Sequence, residues 1–66
     1  MTNRAAMKAR IQVELDCAEK QYAAAMEMVC KMKRLNFDAG YNYWRNRQTH
    51  YGMRVRFFKS ELAKRA

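Results

Sequence analysis

Hydrophobic residues recur along this chain at alternating steps of three and four. In the first half Ile11, Leu15, Ala18, Tyr22, Ala25, Val29 and Met32 follow one another at 4, 3, 4, 3, 4 and 3. A helix turns once in about 3.6 residues, so these positions fall on one narrow stripe, a heptad seam. In the second half Tyr41, Trp44, Gln48, Tyr51, Val55, Phe58 and Leu62 repeat the rule at 3, 4, 3, 4, 3 and 4. The segment between them, Asn36-Phe37-Asp38-Ala39-Gly40, carries a turn signal. Asn36 tolerates the left-handed conformation that ends a helix, and Asp38 is suited to cap the next one. Thr2 or Asn3 is suited to cap the first helix. The pattern predicts an all-α, antiparallel two-helix hairpin forming a single domain over 1–66. The first helix covers about 4–35, the turn 36–40 and the second helix about 41–65.

The two seams can be tested against each other. Pairing Met32 with Tyr41, Val29 with Trp44, Ala25 with Gln48 and Tyr22 with Tyr51 gives residue numbers that always sum to 73. Ala18 with Val55, Leu15 with Phe58 and Ile11 with Leu62 keep the same sum. All seven layers therefore meet together when the chain folds back between Asn36 and Phe37. One local feature points the other way. Met53-Arg54-Val55-Arg56-Phe57 alternates apolar and basic residues, the period of a strand, and Gly52 before it weakens a helix. A lone strand has no partner here, whereas Phe58 and Leu62 continue the helical frame, so the run is expected to be helical with a kink at Gly52.

Composition agrees with long helices, because there is no proline and glycine occurs only at Gly40 and Gly52. A chain of 66 residues makes a thin core, however, and small domains often compensate with a partner. Met7, Met26, Met28, Cys30, Phe37, Met53 and Phe57 lie off the seam. Of these, Met26, Met28, Cys30 and Met53 are the candidate apolar face for a partner or for a homodimer closing into a four-helix bundle. Cys17 and Cys30 stand thirteen residues apart on one helix, about 20 Å of rise, too far for an internal disulfide. Reduced cysteines, no leader-like N-terminus and no span-length apolar run predict a cytoplasmic protein without a membrane partner.

Charge divides the chain unequally. The formal net charge is +8, and most of the excess belongs to the second helix. There Arg45, Arg47, Arg54, Arg56, Lys59, Lys64 and Arg65 face the single acid Glu61 over 41–66, whereas acids nearly balance bases over the first forty residues. Tyr43, Arg47, His50, Arg54 and Phe57 follow steps of 4, 3, 4 and 3, a stripe beside the seam that alternates aromatic and basic side chains. Cations neutralise phosphates and aromatic faces stack on unpaired bases, so this mixture suits nucleic acid. Arginine also pairs its planar fork with phosphate oxygens.

Groups that could converge for catalysis are missing. His50 is the only histidine and has arginines for neighbours, and Glu14 and Asp16, two apart on a helix, point to different sides. The cysteines lack metal-ligand spacing, no glycine loop cradles a phosphate, and Ser60, the only serine, stands in no nucleophile motif. No enzyme, cofactor, metal or small-molecule substrate is expected. Helix-turn-helix, zinc-finger, leucine-zipper and sheet-based RNA modules do not fit the pattern either. The sequence predicts a small accessory protein that binds DNA or RNA, or a nucleic-acid complex. Its contacts would be Tyr43, Arg45, Arg47, His50, Arg54, Arg56, Phe57 and Lys59 of the second helix. The alternative is a modulator or inhibitor, of the sort phages and mobile elements encode, docking the same residues on an acidic surface of a larger protein complex.

Overall fold

A computed structural model describes residues 3–65, the side chain of residue 3 excepted. Two helices, α1 (Asn3–Arg34) and α2 (Asp38–Lys64), pack side by side as an antiparallel hairpin. Its Cα atoms extend over 54 × 14 × 13 Å. Thr2 and the side chain of Asn3, the expected caps of α1, lie outside the described residues.

The reversal is tighter than the sequence pattern predicts, occupying Leu35–Phe37 instead of 36–40. Asn36 accounts for this by taking the left-handed conformation at φ 55°. Its N–H donates to the Lys33 carbonyl at 3.1 Å and the Phe37 N–H to the Met32 carbonyl at 3.0 Å, the bond pair of a Schellman motif. Phe37 then adopts an extended conformation and becomes the N-cap of α2, its carbonyl accepting the Tyr41 N–H at 2.9 Å. Asp38 is therefore not the cap: no side chain caps α2, and Asp38 sits in the first turn, where its charge favours the helix dipole. Lys31, Lys33 and Arg34 favour it at the end of α1.

The seam forms the interface. All fourteen seam positions are buried or half-buried, with Ile11, Leu15, Ala18 and Ala25 buried. Outside the seam only Glu14, Met28, Gly40, Gly52 and Glu61 are as little as half-buried among the described side chains. Two glycine contacts report the register. A Cβ on Gly52 would lie 3.2 Å from Cε1 of Tyr22, one residue from Tyr51, its expected layer partner. A Cβ on Gly40 would lie 2.5 Å from Sδ of Met32, again one residue from the expected Tyr41. Gly52 thus lies inside a continuous α2, and the alternating run Met53–Phe57 is helical. Side-chain packing across the interface overrides the local period of two.

Candidate nucleic-acid interface

The cations of α2 do not form one surface. Each residue advances about 100° around a helix, so Tyr43, Arg47, His50, Arg54 and Phe57 lie together on one flank of the seam. Arg45, Arg56 and Lys59 follow steps that also include Thr49 and Gly52, and they lie on the other flank. The eight expected site residues lie on two flanks that face apart, because the spacing from Arg45 to Arg47 is two residues and from Arg54 to Arg56 again two.

On the first flank aromatic rings and guanidinium groups are in contact. Arg47 stands 5.9 Å from the ring centroid of Tyr43 and 5.6 Å from that of Tyr51, within cation–π range of both. Arg54 is 5.5 Å from the Phe58 ring, and the His50 and Tyr51 rings meet edge to face at 5.5 Å. Arg54 also reaches across to α1, pairing with Glu14 at 3.5 Å. Both side chains keep more than two-fifths of their exposure, so the pair adds little stability. Phe57 and Tyr43 remain more than half exposed, with Met53 beside them. His50, Met53, Arg54, Phe57 and Phe58 line a shallow depression here.

On the second flank the helices leave an open recess of about 420 Å³. Its wall consists of Tyr22 from α1 with Arg45, Gln48, Thr49, Gly52, Val55 and Arg56 from α2. No acid contributes to it. The Thr49 hydroxyl donates to the Arg45 carbonyl at 3.1 Å, and the Arg45 guanidinium stands 5.9 Å from the Tyr41 ring. Among the described residues, Arg45, Arg47, Arg56 and Lys59 have no carboxylate within 4.0 Å. Glu61, the acid of this half of α2, is occupied elsewhere. It accepts from Lys64 at 3.2 Å and Arg65 at 3.0 Å, and these bonds, Lys64 first, hold its carboxyl below the usual range.

The expected apolar face divides as well. Met26, Met28 and Cys30 line a depression on α1 together with Ala23, Glu27, Lys31 and Arg34. Met53 lies on α2 in the depression beside Phe57 and belongs to a different patch. Both cysteines are free and exposed, no group of three or more potential metal ligands assembles among the described residues, and none of their helices is long and apolar enough to cross a membrane. The recess at Tyr22 and Gly52 is the feature the seam pattern does not single out. Its signal was a glycine one step off the seam, in mid-helix, where it weakens the helix unless another group approaches closely. No family model matches the chain, and neither a curated protein nor a solved structure matches it.

Proposed function

We propose that this protein is a non-catalytic accessory protein that binds nucleic acid through α2. The observation that supports it most is the uncompensated charge of that helix. Arg45, Arg47, Arg56 and Lys59 have no carboxylate partner among the described residues, while Glu61 serves the C-terminal turn. On both flanks of α2, cations packed on aromatic edges offer charge for phosphates and ring faces for bases.

Fluorescence anisotropy of a labelled oligonucleotide, repeated across a salt series, tests this function. Neutralisation of about four phosphates by these four cations makes log K fall with log salt with a slope of about −3 for a single strand. Absence of binding at low salt, or an affinity independent of salt, contradicts it. Charge reversal at both Arg47 and Arg45 is expected to weaken binding in either case.

A further inference from the structure

We propose that the recess between the helices at Gly52 is the seat of an unpaired stretch of nucleic acid. A base enters over Gly52 and Tyr22 while Arg45 and Arg56 hold the phosphates to either side. This rests on the nucleic-acid function above and assigns it a place and a strand type.

Gly52 is the first support. A glycine in mid-helix costs about 1 kcal/mol relative to alanine. Here the Tyr22 ring comes so close that even a Cβ would stand 3.2 Å from it. The helix approaches Tyr22 without a side chain in between, and nothing from position 52 projects across the recess. A longer side chain there would fill it.

The wall chemistry is the second support. Arg45 and Arg56 stand at the two ends and no acid lies between them. Gln48 presents an amide with both donors and an acceptor, which matches the mixed edge of a base. The Thr49 hydroxyl, its proton given to the Arg45 carbonyl, keeps its oxygen as an acceptor. Tyr22 supplies an aromatic surface, and bases stack on such surfaces whatever their sequence.

Spacing decides between a free phosphate and a strand. Arg45 and Arg56 are eleven residues apart, about 16 Å of helix rise. A stacked strand carries one phosphate per about 3.4 Å, so the pair brackets roughly five of them. Access to the base edge decides between one strand and two. Paired bases are stacked inside a duplex and closed to a recess of this kind. On the opposite flank Arg54 is already engaged by Glu14.

Two charge-matched double variants test the seat by anisotropy with a labelled oligothymidylate of about ten nucleotides at fixed salt. R45Q/R56Q is expected to weaken binding roughly tenfold or more, since each loses a charge-assisted contact at the seat. R47Q/R54Q is expected to change it about threefold or less. All four arginines are exposed, so thermal melts of both doubles should match the unsubstituted protein. Equal losses in the two doubles overturn the seat and leave the nucleic-acid function standing, whereas failure of the unsubstituted protein to bind overturns that function itself. Tighter binding to a duplex of equal length than to the single strand also overturns the seat. As a second probe, Gly52→Gln fills the recess at constant charge and is expected to lower affinity by a similar factor in a protein that still melts cooperatively. Unchanged affinity in that variant contradicts base entry at Gly52.

Discussion

Among the described residues the four buried ones, Ile11, Leu15, Ala18 and Ala25, belong to α1, whereas α2 has none. The helices nonetheless face each other along the same seam. The difference lies in side-chain size: the α1 seam includes the small Ala18 and Ala25, whereas the α2 seam carries Tyr41, Trp44, Tyr51 and Phe58. Small side chains are covered within the seam, while the large ones stay half exposed because a two-helix core is too thin to cover them. The edges that remain uncovered sit beside arginines. One helix is thus mainly scaffold, and the other combines scaffold with the surface proposed to bind nucleic acid.

The largest effect is expected where α1 is most completely covered. Ala18→Glu places a charge at a position with no exposure, against its layer partner Val55, and should destabilise by about 3 kcal/mol or more. In so small a protein that should abolish the cooperative melt followed by circular dichroism. Val13→Glu, on the exposed side of the same helix, should shift stability by no more than about 0.5 kcal/mol. Similar losses in the two variants would mean that α1 is not seated on this seam.

A middle-sized effect sharpens the contrast between the helices. Leu15 of α1 is 6% exposed and Leu62 of α2 is half-buried, so the same truncation reads the coverage of each. Urea unfolding should show a cost of about 2–3 kcal/mol for Leu15→Ala and about 1 kcal/mol for Leu62→Ala. The reverse order would contradict the division of the core between α1 and α2.

Much of this was legible in the sequence because helical period and layer pairing are both spacing rules. The fourteen seam residues and the left-handed Asn36 follow from such rules and stand where the pattern puts them. Asp38 was misread because capping depends on which residue takes the extended conformation. Asn36 reverses the chain within one position, and that assigns the cap to Phe37. The candidate site was legible only in part. Tyr43, Arg47, His50, Arg54 and Phe57 share a flank by spacing, but Arg45, Arg56 and Lys59 were joined to them by composition, and composition ignores direction. The recess needed the partner helix as well, because its floor is Tyr22 of α1 beneath Gly52 of α2.

The smallest expected effect lies at the C-terminal end of α2, where Lys64 and Arg65 lower the pKa of Glu61. A carboxyl whose folded pKa is depressed stabilises the folded state fully above the ordinary carboxylate range. That contribution disappears as pH falls through the lowered folded value. Because the ion pairs lie within the C-terminal end of α2, the change should be confined to fraying of the last turn. Proton titration followed by carboxyl carbon NMR should place Glu61 below the ordinary glutamate value, and removal of the Lys64 and Arg65 side chains should raise it again. A Glu61 titrating at the ordinary glutamate value would contradict the ion pairs.

The claim that α2 carries the binding surface is tested most directly by amide chemical-shift mapping of the isotope-labelled hairpin with a short single-stranded oligonucleotide. Saturating shifts are predicted over Arg45–Lys59 of α2 and at Tyr22 of α1, and the outer surface of α1 around Met26 and Cys30 should stay unmoved. Shifts centred on that α1 surface, or none anywhere at low salt, would contradict the account.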